Sequence, residues 1–115
     1  MKLNHPVGAQ AEDRALAFLQ QQGLRLVARN WHCVYGEVDL VMKEGPTWVF
    51  IEVKYRQRPH FGGAAYSITP HKLAKLQRTI LHYMQVNKIH NEPCRLDAVL
   101  CQAQDAPVWL KNILG

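Results

Sequence analysis

The sequence predicts an α/β fold: a mixed five-stranded sheet flanked by helices, in the order αβββαββ. Three observations predict it. Two segments carry apolar residues at helical spacing, and five others read as short extended runs. The second helical segment also falls between two of those runs, which permits a parallel pairing there. At 115 residues the chain is expected to form a single domain over 1–115, with room for a real core but not for two.

The first helix is expected from about residue 7 to 22, where Ala11, Ala15, Phe18 and Leu19 recur at helical spacing and Gly23 supplies a stop. Residues 24–34 read as a strand, with Leu26, Ala28 and Asn30 on one side and Arg25, Val27 and Arg29 on the other. Two further strands lie in GEVDLVMKEGPTWVFIEVKYR, residues 36–56. Alternation sets Glu37, Asp39 and Val41 against Val38, Leu40 and Met42 in the first. In the second, Trp48, Phe50, Glu52 and Lys54 share a face opposite Val49, Ile51 and Val53. Both stripes of this second strand are apolar, so it is expected to be buried on both faces with charges near its end. A four-residue turn, Glu44-Gly45-Pro46-Thr47, would pair Lys43 with Trp48. That register places Asp39 opposite Glu52 and Glu37 opposite Lys54.

Residues 55–69, containing Pro59, His60, Phe61, Gly62 and Gly63, read as a long connection of the kind that often carries function. Thr69 is an N-cap and Pro70 fits the first turn of a second helix reaching about Asn87. Its buried stripe is Leu73, Leu76, Ile80 and Met84. Cys94–Gln102 and Val108–Ile113 read as the last two strands. Trp31, Trp48 and Trp109 are expected to pack on the sheet, and Asp97 to be structural.

The chemistry is concentrated in the hairpin. Directly opposed strand side chains have Cβ atoms roughly 4.5–5.5 Å apart. Two carboxylates about 4 Å apart repel by about 4 kcal/mol at an effective dielectric of about 20. A shared proton, a basic neighbour or a divalent cation must relieve that repulsion. A few carboxylates, with water and phosphate filling the remaining positions, suit Mg²⁺, or Mn²⁺ in its place. Lys54 then stands beside the cation to bind phosphate or orient water, and the backbone carbonyl region at Val53 offers a further oxygen. The competing reading is a buried ion-pair network, Glu37 with Lys54 and Arg56 or Arg95 on Asp39. Glu12 borders the apolar face formed by Ala15, Leu16 and Leu19. It is either a first-turn glutamate favoured by the helix dipole or a third carboxylate brought over the strands, whereas Asp13 points away.

A net charge of +5 favours a polyanionic partner. Arg56, Arg58, His60, His71, Lys72, Lys75 and Arg78 cluster downstream of the hairpin, as phosphate-backbone contacts or as a solvated helix face. Phe61 and Tyr66 could stack on exposed bases or anchor the loop. Cys33, Cys94 and Cys101 form no CxxC pair and are expected to be reduced and mostly buried. With no signal peptide and no apolar run near the ~20 residues of a membrane helix, a cytoplasmic protein without membrane association is expected.

These residues resemble the YraN-like family of small bacterial proteins, predicted members of the PD-(D/E)xK nuclease superfamily. The likeness is carried by GEVDL at 36–40, FIEVKYR at 50–56, Gly62 and Ala64, Lys72, and RLD at 95–97, and it runs from Gly8 to the final strand. The resemblance implies a restriction-endonuclease-like core similar to archaeal Holliday-junction resolvases. In that pattern Asp39 and Glu52 match the metal-binding carboxylates, Lys54 the catalytic lysine and Glu12 the first-helix glutamate. The family commonly has glycine just before that glutamate, where this chain has Ala11. The expected function is a metal-dependent endonuclease hydrolysing phosphodiester bonds in structured or branched DNA, working as a homodimer, with RNA left open as a substrate. The alternatives are a non-catalytic nucleic-acid-binding module of the same fold and a domain whose basic face docks an acidic protein.

Overall fold

The computed structural model describes residues 6–56, 68–103 and 105–115. Helix α1 (Pro6–Gln21) is followed by strands β1 (Arg25–Cys33), β2 (Gly36–Glu44) and β3 (Thr47–Arg56), then α2 (Pro70–Val86), β4 (Cys94–Gln102) and β5 (Val108–Leu110). The strands form one sheet in the order β1-β2-β3-β4-β5. All neighbours are antiparallel except β3 and β4, which α2 joins as a parallel pair. This is the mixed α/β architecture and element order expected from the sequence.

Each helix covers one face of the sheet. Ala11, Ala15 and Leu19 of α1 pack against Leu40, Met42, Val49, Ile51, Val99 and Cys101. Leu76, Ile80 and Tyr83 of α2 pack against Val38, Val41, Phe50 and Leu96. β3 is therefore buried on both sides, as its two apolar stripes require: Val49 and Ile51 face α1, while Trp48 and Phe50 face α2. Residues such as Phe50 and Ile51, with no exposed surface, contribute ~1.5–3 kcal/mol each by transfer from water. Tyr83 anchors the second layer, meeting the rings of Trp31, Trp48 and Phe50 at 5.0, 6.1 and 5.5 Å.

Local signals explain the boundaries. Gly23, at φ +98°, ends α1 in a conformation that costs glycine nothing. The Thr69 side chain accepts a hydrogen bond from the Lys72 N–H at 3.1 Å, and Pro70 opens α2. The hairpin register is the expected one, Lys43 opposite Trp48, but Glu44 also pairs with Thr47. The turn is thus the two residues Gly45-Pro46 rather than four. Gly45 has φ +58°, which suits a type II′ turn with glycine at its first central position.

Further expectations need correction. Val27 forms a bulge, the register shifting between Leu26 and Ala28. Leu26 therefore packs on the α1 side and Ala28 on the α2 side, not on one face together. Strict alternation also fails in β2, because Val38 joins Val41 under α2 while Leu40 and Met42 face α1. Finally, β5 stops at Leu110 rather than Ile113. Asn112 turns into the left-handed region (φ 56°) and gives its N–H to the Asp97 carboxylate at 2.8 Å. The three cysteines are all free, but they are not mostly buried as expected: Cys101 is buried, Cys33 half-buried and Cys94 exposed.

Asp97 is structural, as expected. Its carboxylate is completely buried and accepts from Arg95 Nε at 3.0 Å, Trp109 Nε1 at 2.9 Å and Asn112 N. It ties β4 to β5 and to the C-terminal turn.

Candidate active site

The β2–β3 ladder ends at Leu40–Ile51. One step further, level with Glu52, the Asp39 side chain turns toward β3 and accepts the Val53 N–H at 2.8 Å. A carboxylate thus takes the place of a ladder carbonyl, and β2 and β3 cease to pair as Asp39 comes level with Glu52. Glu52 follows Phe50 on the α2 side and is nearly buried.

Electrostatics register the crowding. Burial first, then the Glu52 charge, raise the Asp39 carboxyl to about 7 despite the Val53 N–H that favours its charged form. Glu12, on α1, is also buried. Its carboxyl is pushed up by burial and then by Asp39, while Arg29 and Asn30 act the other way. Ala11, just before Glu12, is packed into the α1-side core. Asp13 is two-thirds exposed. Arg29 lies between the two acids, 3.4 Å from Glu12 and 3.0 Å from Asp13.

Positive charge comes from two lysines. Lys72 Nζ stands 3.7 Å from Glu52 Oε2. Partial burial and then the Lys72 ammonium depress the Lys54 pKa, against the pull of Glu52 and Asp39. Asp39, Glu52 and Lys72 stand at the wall of a cleft of about 460 Å³ lined also by Gly36, Glu37, His71, Lys75, Leu76 and Thr79, whereas Lys54 and Glu12 are not among its lining residues. Gly36 gives the cleft its width, since a Cβ there would stand 3.0 Å from Thr79 Oγ1.

The expected nucleic-acid contacts divide. His71, Lys72 and Lys75 line the cleft. Arg78 faces a second hollow with Tyr35, Leu81, His82 and Gln85. Arg58, His60, Phe61 and Tyr66 lie outside the described residues, as does the side chain of Arg56. The ion-pair alternative for the hairpin loses one candidate, because Arg95 is held by Asp97 and by Glu44 at 2.7 Å. Sequence reasoning passed over Arg29, Gly36, Thr79 and Asn30. Asn30 carried a signal, being a residue type depleted from strands inside a β-forming run, and Gly36 opens the GEVDL motif without having been read as a site residue.

Among the described residues, no three His, Cys, Asp or Glu side chains are gathered closely enough to hold a metal ion by themselves. The donors that are present still fit a hard cation that keeps several waters. Asp39 and Glu52 offer carboxylate oxygens whose mutual repulsion a cation would relieve.

Residues 11–101 match the uncharacterised protein family UPF0102. A UPF0102 protein of Neisseria gonorrhoeae (strain NCCP11945) is 59% identical over 115 residues, covering all of both chains. One from Shewanella loihica is 50% identical over 105 residues, covering 91% of this chain and 90% of that protein. The structure is also similar to that of Hjc, a Holliday junction resolvase from Archaeoglobus fulgidus, with a TM-score of 0.57 and 19% sequence identity over 90% of this chain and 76% of the other. These matches bear out the family resemblance and the resolvase-like fold.

Proposed function

We infer that this chain, which belongs to the uncharacterised protein family UPF0102, is a divalent-metal-dependent endonuclease acting on structured or branched DNA. The observation that carries the reading is Asp39 beside Glu52 where β2 and β3 cease to pair, with Lys72 at the wall of the same cleft and Lys54 feeling the charges of all three. The likeness of the fold to a Holliday junction resolvase supports it.

Asp39 and Glu52 would hold Mg²⁺ or Mn²⁺, with Glu12 as a third acidic group. A bound cation would acidify the attacking water and neutralise charge on the scissile phosphate. Lys54, depressed toward its neutral form, orients that water and donates to the phosphate oxygens as charge builds on them. The water oxygen bonds to phosphorus, the bond to one sugar oxygen breaks, and a proton from the water ends on the departing oxygen. Lys72, His71 and Lys75 form the cleft wall along which the phosphate backbone would run. Resolving a junction takes two symmetric cuts, so two copies related by a two-fold axis are the expected working unit. Among the described residues no helix is long and apolar enough to cross a membrane, and the proposed site of action is the cytoplasm.

A second reading, a binding module of the same fold without turnover, is favoured by the ion pairs that already occupy Glu12 and Glu52. Purified protein assayed with Mg²⁺ or Mn²⁺ on linear, flap and four-way DNA separates the two. Cutting that disappears in both Asp39→Ala and Lys54→Ala supports the nuclease. Salt-sensitive binding without cutting, unaltered in either variant, supports the module.

A further inference from the structure

Beyond the cleft, a second hollow of about 420 Å³ opens between the β1–β2 turn and the outer face of α2, lined by Tyr35, Arg78, Leu81, His82 and Gln85. The two concavities adjoin. Tyr35 neighbours Gly36, and Arg78 and His82 lie one helical turn beyond Lys75 and Thr79, so the same turn and the same helix supply residues to both. Helix α2 carries no Asp or Glu, and among the described residues no acidic side chain lines the hollow.

The β1–β2 turn serves neither turn chemistry nor the core. Cys33 pairs with Gly36, leaving Val34 and Tyr35 as the two central residues. Two-residue hairpin turns favour Asn, Asp and Gly over β-branched or aromatic side chains. Val34 is 91% and Tyr35 43% exposed, so neither gains much by burial. The Tyr35 ring is nonetheless held in place. It meets His82 edge-on at 5.6 Å, His82 lies 6.0 Å from Trp31, and Trp31 packs on buried Tyr83 at 5.0 Å. A row of rings thus runs from the α2-side core to the surface, and its last member shares a hollow with the Arg78 guanidinium.

An aromatic ring, an arginine and the Gln85 amide around one open hollow match what a nucleobase needs: a face to stack on, a cation for the flanking phosphate and a hydrogen-bonding group for the base edge. Bases within a duplex are already stacked and out of reach, so the ligand that fits is an unpaired nucleotide. A second copy of the chain fits less well, because a two-fold contact here would set Arg78 and the acid-free face of α2 against their own duplicates.

We propose that this hollow is a base-binding subsite: Tyr35 stacks on an unpaired base at the branch of a DNA substrate and Arg78 holds its phosphate, while the strand continues into the cleft. The proposal rests on the reading of the cleft as a phosphodiester-cutting site, and gives that site its preference for branched over plain duplex DNA.

The test is fluorescence anisotropy with the whole chain in EDTA, which prevents cutting, on a duplex bearing a single-stranded flap and on an unbranched duplex. Tyr35→Ala should weaken flap binding roughly 5–100-fold and leave duplex binding unchanged. Tyr35→Phe keeps the ring and should bind the flap as the wild type does. Arg78→Gln should weaken flap binding and flatten its salt dependence. Equal losses on the two substrates in Tyr35→Ala, or no loss on either, would overturn the subsite. So would a Tyr35→Ala protein whose only change is from dimer to monomer in sedimentation, a result that assigns the patch to a second copy. Cutting assays with Mn²⁺ keep the two readings apart. If the wild type prefers the flap through Tyr35 but cuts neither substrate, the nuclease reading falls and the subsite stands. If Asp39→Ala abolishes cutting while Tyr35→Ala binds the flap normally, the subsite falls and the nuclease reading stands.

Discussion

Replacing Asp39 with asparagine should stabilise the metal-free protein at neutral and alkaline pH. The Asp39 carboxyl moves from 3.8 to about 7 in the folded protein, and at ~1.4 kcal/mol per pH unit that displacement is worth about 4 kcal/mol. Because the folded state holds this proton more tightly than the unfolded one, the contribution is complete below about pH 4. It drains away as pH rises through about 7, above which the fold carries an ionised Asp39 beside Glu52. Asparagine mimics the protonated acid and its oxygen can still accept the Val53 N–H. The stability difference, variant minus wild type, should therefore grow from near zero at pH 4 to as much as about 4 kcal/mol at pH 8. Urea denaturation in EDTA, followed by tryptophan fluorescence at several pH values, measures that difference directly. Mn²⁺ at pH 8 should raise the stability of the wild type and do little for the variant. Parallel pH profiles for the two proteins would refute the crowded-carboxylate site.

Lys54→Ala should reduce cleavage by roughly 10²–10³-fold while leaving Mn²⁺ affinity and the melting temperature close to wild type, as single-turnover assays would show. Asp97→Ala should cost about 3–5 kcal/mol in denaturant titrations, because it leaves Arg95 without its buried partner and frees Trp109 and Asn112. Gly36→Ala should cost about 1–3 kcal/mol and narrow the cleft, since the new methyl meets Thr79 Oγ1 at 3.0 Å. Its signature is weakened DNA binding with Mn²⁺ affinity retained. Lys72→Ala and Lys75→Ala should each reduce the slope of log K against log salt by about 0.9 for duplex DNA if each contacts a phosphate, measurable by fluorescence anisotropy.

The hairpin register was legible because two apolar stripes and a glycine-proline turn leave few alternatives, and that register sets Asp39 level with Glu52. The Thr69 cap was legible from one local hydrogen bond, and the α2 stripe in part: Leu76 and Ile80 are buried, Leu73 and Met84 only partly, and Thr79 and Tyr83 take the remaining buried positions. The bulge at Val27 was not, since an extra residue leaves no compositional trace in a run of strand formers. Nor was the Asp39–Val53 contact, which depends on the strands separating rather than on their pattern. Sequence spacing left Glu12 undecided between dipole partner and third acid; Ala11 and Ala15 pack on the sheet, and Glu12 beside them is buried and paired with Arg29. Arg29 was read as one side of a strand, and the pairing with Glu12 and Asp13 emerges only when α1 lies across β1.

The border strand β1 has a consequence for self-association. A nine-residue strand at the rim of a sheet would ordinarily template further strands and invite aggregation. Here an unmatched valine, an asparagine with reversed backbone hand and exposed Arg25 and Arg29 spoil that template. At the opposite rim β5 offers only three residues. Copies of this chain are thereby discouraged from joining edge to edge into a continuous sheet, and any two-fold pairing is directed to side-chain surfaces instead.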